Sequence, residues 1–121
     1  MEQTQASPSP FTKTQALAAL SALAQDTRLD TFRLLVKTGD AGLLAGEIGA
    51  ALSVRQNTLS SNLAILVQAG LLTNQRQGRA IRYFANLDGM RQLLDFLMED
   101  CCNGHPQACP SLFEALICDN Q

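Results

Sequence analysis

Residues 53–84 read SVRQNTLSSNLAILVQAGLLTNQRQGRAIRYF, and the hydrophobic period changes once along this stretch. In its first half, leucines recur at steps of three and four residues, which places them on one face of an α-helix. Gly70 is a natural residue to follow the end of this helix. In the second half, two extended runs flank Gln77-Gly78, which is typical of a two-residue hairpin turn. The stretch therefore predicts a helix followed by a β-hairpin.

The start of this helix is indicated by Ser53, because a Ser followed three residues later by Gln56 has the form of a capping box. A short helix from about Leu44 to Leu52 is predicted just before it. Two helices joined by a tight turn form a helix-turn-helix, and a hairpin after the second helix makes it a winged helix. The predicted fold class is therefore mainly α-helical with a β-hairpin wing, a winged helix-turn-helix.

The predicted helix and hairpin lie in a region without negative charge. Between Glu47 and Asp88 the sequence has no acidic residue, although the whole chain has a formal net charge of −2 at pH 7. The arginines in this region are Arg55, Arg76, Arg79 and Arg82. Positive charge on a helix and an adjoining hairpin suits the phosphates of double-stranded DNA. The charge pattern therefore favours a DNA-binding function.

The helix face opposite the leucines carries amide and hydroxyl side chains, which can read base edges in the major groove. Gln56 and Asn57 can each pair with adenine through two hydrogen bonds. The arginines of the hairpin can bind phosphates or enter the minor groove. The predicted DNA-binding residues are Arg55, Gln56, Asn57, Thr58, Ser60, Ser61, Asn62, Arg76, Arg79 and Arg82.

The rest of the sequence divides the chain into three parts. Residues 1–12 include Ser7-Pro8-Ser9-Pro10 and little that can be buried, so we predict a disordered N-terminal arm. Residues 13–100 are predicted to form the winged helix together with helices for dimerisation. Residues 101–121 are predicted to form a cysteine-bearing C-terminal tail.

Three further helices are predicted in the central part, one from Lys13, one capped by Asp26 and one capped by Asp88. The first and last of these have more apolar side chains than one small winged helix needs. These side chains are Leu17, Leu20, Leu93, Leu94 and Leu97. We therefore predict a homodimer through the first and last helices. A two-fold dimer would bind double-stranded operator DNA at a pseudo-palindromic site, with half-sites about 34 Å or a multiple of it apart.

Composition argues against several other classes of protein. A chain of 121 residues suits one domain with one core. The N-terminus has neither a basic start nor an apolar run, and no stretch approaches the ~18 apolar residues of a membrane span. With one histidine, no evident Ser/His/Asp grouping and no glycine-rich phosphate loop, the chain is not expected to be an enzyme. We expect a cytoplasmic protein with no membrane association, in which the cysteines stay reduced.

Residues 23–86 resemble the ArsR/SmtB family of metal-responsive repressors. Three motifs occur in order and at the family's spacing. The first is LAQDTR at 23–28 and the second is RQNTLSSNL at 55–63. The third combines AGLL at 69–72, RQGR at 76–79 and Tyr83. They are similar to the family's opening LA-x-x-TR element, its recognition helix and its wing. Arg55 and Asn62 replace the usual Ser and His, so an operator sequence cannot be copied from relatives. The resemblance implies a homodimeric repressor that binds DNA.

Residues 101–109, CCNGHPQAC, resemble the C-terminal motif of an arsenite-responsive proteobacterial subgroup of this family. The cysteine pair that many arsenic sensors carry on the first helix of the reading motif is absent, since residues 43–48 read LLAGEI. Thiolates select thiophilic ions, and trivalent arsenic or antimony prefers three sulfur ligands. The predicted inducer ligands are Cys101, Cys102 and Cys109, with As(III) or Sb(III) as inducer and no organic cofactor.

The cysteine tail has other interpretations that the sequence leaves open. Zinc could be bound by Cys109, Cys118 and His105 with one of the adjacent cysteines, although the spacing matches no usual zinc pattern. A disulfide would make a redox sensor, but a helix C-terminus beside Glu99 and Asp100 disfavours a reactive thiolate. Methylated trivalent arsenic needs only two sulfurs. A thiol-based metal carrier would bind arsenite without any affinity for an operator.

Overall fold

The computed structural model describes residues 11–99, which fold into a mainly helical unit with a small antiparallel sheet. Its elements are α1 (Lys13–Leu23), α2 (Asp26–Thr38), a 3₁₀ turn (Gly39–Ala41), β1 (Leu43–Leu44), α3 (Ala45–Leu52), α4 (Gln56–Gln68), β2 (Leu72–Gln77), β3 (Ala80–Ala85) and α5 (Leu87–Met98). The predicted winged helix-turn-helix is confirmed. In residues 11–99, no helix combines the length and hydropathy that crossing a membrane requires.

The folded unit begins slightly earlier than the sequence predicts. Thr12 is the N-cap of α1, where its hydroxyl accepts a hydrogen bond from the Gln15 N–H at 3.1 Å. The Gln15 side chain accepts in return from the Thr12 N–H at 2.8 Å, which completes a capping box. Phe11 packs against the core. The rest of the predicted arm, and the whole predicted tail, lie outside the described residues.

Helix α1 packs against the core through alanines. Ala16, Ala19 and Ala22 are buried, whereas Leu17 is 57% exposed and Leu20 is 40% exposed. Because alanine side chains are short, α1 can lie close to its neighbours α2 and α4. Leu17 and Leu20 are consequently left on the outside of the protomer, whereas Leu23 at the end of the helix packs against the core.

The N-caps of α2 and α5 differ from the predicted ones. Gln25 caps α2, because its Oε1 accepts a hydrogen bond from the Arg28 N–H at 3.0 Å. Asp26 instead lies in the first turn, where the helix dipole favours a carboxylate. Asn86 caps α5 through the Gly89 N–H at 3.2 Å, so the predicted Asp88 cap is also wrong. Each cap lies one or two residues before the predicted position.

The turn between α3 and α4 contradicts the predicted capping box. Ser53 ends α3 in the left-handed region, at φ 56° and ψ 47°, and therefore cannot cap the next helix. Arg55 is the N-cap of α4 and makes no side-chain capping bond. The Gln56 amide instead donates to the carbonyl of Ala45 at the start of α3, at 3.3 Å. This bond ties the two helices of the helix-turn-helix together.

The sheet has the strand order β1-β3-β2, with both pairs antiparallel. The hairpin turn is Gly78-Arg79, because Gln77 pairs with Ala80, and the predicted turn is therefore displaced by one residue. Strand β1 was not predicted. It has only two residues, and Leu43 pairs with Tyr83 far along the chain. A two-residue strand whose partner lies about forty residues later leaves no local pattern in the sequence from which it could be predicted.

Gly42 lies at the tightest contact between the sheet and the segment that precedes it. It is buried at φ 62°, and a Cβ there would lie 2.6 Å from both the Phe84 ring and the Tyr83 carbonyl oxygen. We expect Gly42→Ala to lower the free energy of unfolding by about 2 kcal/mol or more, because it adds backbone strain to a steric overlap. Urea unfolding at a fixed protomer concentration measures this change.

The matched control is Gly46→Ala, since Gly46 lies in α3 and a Cβ there meets nothing within 4 Å. This variant should be neutral or more stable by about 0.5 kcal/mol. Equal losses in the two variants would contradict the assignment of strain to Gly42.

Candidate nucleic-acid interface

Helix α4 has one buried and one exposed face. The buried side chains that hold it in place are Leu59, Leu63 and Leu66. The exposed side chains are mostly amides and hydroxyls, with Ala64 and the apolar Ile65 beside them, namely Gln56, Asn57, Thr58, Ser60, Ser61, Ala64, Ile65 and Gln68. None of them is charged, so the exposed face combines hydrogen-bonding capacity with close steric access.

The N-terminus of α4 is exposed and lies next to a positive charge. Arg55, its N-cap residue, is exposed and makes no side-chain capping bond. The Asn57 Oδ1 accepts from the Thr58 N–H at 2.8 Å, which leaves the Asn57 amide nitrogen as the outward donor. A helix N-terminus beside an arginine attracts anions, phosphate groups among them.

The arginines of the hairpin have different environments. Arg76 on β2 and Arg79 in the turn are exposed. The Arg82 guanidinium instead donates to the carbonyls of Ala41 and Gly42 at 3.1 and 3.5 Å. It therefore holds the connection before β1 against the hairpin.

Two further contacts complete the environment of Arg82. Its Nε donates to the Gln77 side chain at 3.1 Å, and its NH1 lies 4.0 Å from the Glu47 carboxylate. The Arg82 side chain is only 26% exposed. The prediction that grouped it with the exposed, DNA-binding arginines therefore differs from the structure. It has a structural role in joining the hairpin to α3.

Asn62 is a second correction to the predicted set. It is only 7% exposed, and its Oδ1 accepts a hydrogen bond from Arg28 at 3.0 Å. The Arg28 Nε also donates to the carbonyl of Ala22 at 2.7 Å. Asn62 therefore lies on the inner face of α4 and connects that helix to α1 through Arg28. Its spacing from Leu59 and Leu66, by three and four residues, would have revealed this.

A shallow groove runs between α4 and the hairpin. Its lining residues are Ser60, Ala64, Val67, Gln68, Asn74 and Tyr83. The exposed polar residues of α4 form one wall, and Asn74 of β2 extends the polar surface onto the hairpin. The groove thus joins the outer face of α4 to the hairpin that carries Arg76 and Arg79, and the sequence between Glu47 and Asp88 contains no acidic residue.

The predicted inducer ligands Cys101, Cys102 and Cys109 lie outside the described residues, as do Cys118 and His105. Among residues 11–99, no group of three or more His, Cys, Asp or Glu side chains could hold a metal ion. Helix α5 ends at Met98, so Cys101 follows the last helical residue by three positions.

Comparisons with known proteins agree with this architecture. A family model described as a helix-turn-helix domain matches residues 23–75. A putative arsenical resistance operon repressor of Halobacterium salinarum is 32% identical over 81 residues, which are 67% of this chain and 66% of that relative. An ArsR-like transcriptional regulator from Rhodococcus sp. RHA1 superposes with a TM-score of 0.62 at 25% identity, over 69% of this chain and 76% of that one.

This chain belongs to the ArsR/SmtB family of winged-helix regulators. The resemblance inferred from the three motifs is thereby confirmed at the level of the family. A homodimeric winged helix-turn-helix domain from Mycobacterium bovis has the same fold, with a TM-score of 0.59 over 76% of this chain and 85% of that one at 24% identity. The fold and the relatives are those of transcriptional regulators, as expected for a protein that is not an enzyme.

In this family member, replacing Asn62 should affect stability because of its bond to Arg28. We expect Asn62→Ala to lower the free energy of unfolding by about 1–2 kcal/mol, since the partly buried Arg28 guanidinium loses one of its two acceptors. The control is Ser61→Ala, one residue away on the exposed face, which should stay within about 0.5 kcal/mol of wild type. Urea unfolding compares the two, and a neutral Asn62→Ala would contradict the structural role.

Proposed function

We propose that the protein is a transcriptional repressor that binds double-stranded operator DNA as a homodimer and is released by trivalent arsenic or antimony. The observation that supports DNA binding most strongly is the outer face of α4. That face is uncharged, rich in amides and hydroxyls, and flanked by the exposed arginines Arg55, Arg76 and Arg79. Surface helices usually mix positive and negative charges, whereas DNA reading needs hydrogen bonding beside positive charge.

In the proposed complex, α4 lies in the major groove and the hairpin lies against the backbone. Asn57, Ser60 and Ser61 are the best placed to read base edges, since their side chains are exposed on α4. The Gln56 amide already donates to α3. We therefore assign this side chain a role in holding the turn between α3 and α4, and not a contact with a base. Arg55, Arg76 and Arg79 would bind phosphates.

Dimerisation is proposed through α1 and α5, which pack against each other in the protomer. Leu17 and Leu20 on α1, and Leu97 at 49% exposure on α5, are apolar side chains that the protomer leaves open. Leu93 is buried within the protomer and therefore does not take part. Covering the three exposed leucines in a second copy removes apolar surface from water. The resulting two-fold axis would fit a pseudo-palindromic operator.

The proposed inducer site is Cys101, Cys102 and Cys109. Support comes from the chemistry of three thiols with thiophilic ions, from their position after the dimer helix α5, and from a relative named as a putative arsenical resistance operon repressor. Binding of the ion would reorder the end of α5 and change the angle between the two protomers. A coupling of about 1–3 kcal/mol would weaken operator binding ~5–150-fold. We place this function in the cytoplasm, where the operator is.

The proposal is tested by fluorescence anisotropy of the reduced full-length protein on labelled DNA from upstream of its gene. The titrants are arsenite, antimonite, methylarsenite, zinc and diamide. Release by arsenite or antimonite supports the proposal. Release by methylarsenite, zinc or diamide alone would retain the DNA-binding repressor and replace its inducer. Arsenite binding without any operator affinity would indicate a metal carrier and overturn the proposal.

The role of the exposed arginines predicts a specific salt dependence. We expect Arg79→Ala to weaken operator binding and to reduce the slope of log K against log salt concentration by about 1, because one phosphate contact is lost. Arg33→Ala is the matched control, since Arg33 is also exposed but lies on α2, outside the acid-free region. An unchanged slope in Arg79→Ala would exclude this residue from the phosphate contacts.

The cysteine site predicts separate effects for two thiols of the tail. We expect Cys102→Ser to bind the operator with wild-type affinity but to remain bound when arsenite is added, because the ion loses one of its three sulfurs. The control Cys118→Ser should be released normally. Anisotropy on the same labelled operator measures both, and normal release of Cys102→Ser would disprove the proposed site.

A further inference from the structure

A single side chain, that of Asn86, joins the start of α5 to the end of α4. Its Oδ1 accepts a hydrogen bond from the Gly89 N–H at 3.2 Å and thereby caps α5. Its Nδ2 donates to the carbonyl of Gly70 at 2.9 Å, two residues after α4 ends. Both bonds are partly buried. One end of the amide therefore binds α5, and the other binds the turn that follows α4.

Gly89 allows this junction to close. It is buried in the first turn of α5, and a Cβ at this position would overlap the carbonyl oxygen of Gly70. The backbone of α5 thus lies directly against the carbonyl that Asn86 binds. Any side chain at residue 89 would push α5 away from the turn that follows α4.

A backbone bond holds the same place independently of the side chain. The Asn86 N–H donates to the carbonyl of Leu71 at 2.8 Å. The chain would therefore still enter α5 at this point if the Asn86 side chain lost its bond to Gly70. What the side chain adds is a second link between the start of α5 and the turn after α4.

We propose that Asn86 is a positioning residue that fixes the angle between the reading helix and the dimer helix. This inference rests on the proposed function, in which α4 enters the major groove and α5 forms the dimer interface. In a dimer, the angle between α4 and α5 sets the separation of the two reading helices. The Asn86–Gly70 bond is therefore required for simultaneous binding of two half-sites, and it transmits a change in α5 to α4.

Two substitutions separate the capping bond of Asn86 from its bond to Gly70. Asn86→Asp keeps an oxygen that accepts from Gly89 and is a favoured N-cap, but it cannot donate to the Gly70 carbonyl. Asn86→Ser is also a favoured cap, and its side chain is too short to reach Gly70. Because only the first variant adds a charge, an effect common to both is due to the lost bond.

The experiment uses the full-length dimer and an operator selected by wild-type protein from a random duplex library. Anisotropy is measured on a duplex with both half-sites, on a duplex with one half-site, and on the first duplex after addition of arsenite. We expect both variants to keep single half-site affinity within about twofold. The additional affinity that a second half-site gives should fall by ~5–150-fold in both variants. Arsenite should release a smaller fraction of each variant from the DNA than of the wild type.

The outcomes distinguish this inference from the proposed function. If wild type is not released by arsenite but the variants still lose the gain from two half-sites, the inducer is wrong and the inference stands. If both variants keep the wild-type gain, or if single half-site affinity falls in the same proportion, Asn86 does not position α4 and the inference is overturned. The inference also fails if wild type itself gains nothing from a second half-site.

A second variant tests the junction with the Asn86 side chain intact. Gly89→Ala places a methyl group against the Gly70 carbonyl and should reproduce the loss for two half-sites. Gly46→Ala, where a Cβ meets nothing within 4 Å, is the control and should bind as wild type does. Should Gly89→Ala fail to fold, the two Asn86 variants decide the question alone.

Discussion

Burial of the leucine face of α4 is the constraint on which the rest of this domain depends. Leu59, Leu63 and Leu66 are almost completely removed from water, and α4 packs against α1, α2, α3 and β2. Because a helix has a fixed period, burying these leucines directs the amide and hydroxyl side chains outward. The hairpin follows α4 after a short turn and lies beside that outer face, where the two elements line a common groove. The polar surface is thus a consequence of the core.

The hydrophobic periods were sufficient to predict the existence and the type of the helices and the hairpin. They were not sufficient for the termini, where the predicted caps at Asp26, Ser53 and Asp88 were all displaced. Each is a good capping residue by type, but tertiary contacts decide which residue adopts the extended backbone of a cap. Ser53 illustrates this best, because the sharp turn into α4 requires it to be left-handed. Strand β1 escaped prediction since its partners lie on β3, far along the sequence.

The predicted surface contains two residues whose polar groups are used inside the protomer. Asn62 could have been placed inside from its helical register alone. Arg82 could not, because its partners Ala41 and Gly42 lie about forty residues earlier in the sequence. The residue types in the sequence therefore identify which side chains are able to bind DNA. The fold decides which of these side chains are exposed and not already bonded within the protomer. The cysteine prediction rests on sequence chemistry and family resemblance.

The alanine face of α1 has a consequence for regulation at the level of the cell. With the alanines buried and Leu17 and Leu20 outside, the proposed dimer would stabilise each protomer by covering these leucines. Stability that comes from association depends on protomer concentration by mass action. Occupancy of an operator that accepts only the paired form would then rise more steeply than the protein level. A gene controlled in this way would switch over a narrow range of repressor concentration. A modest dilution of the protein during growth would therefore derepress the gene.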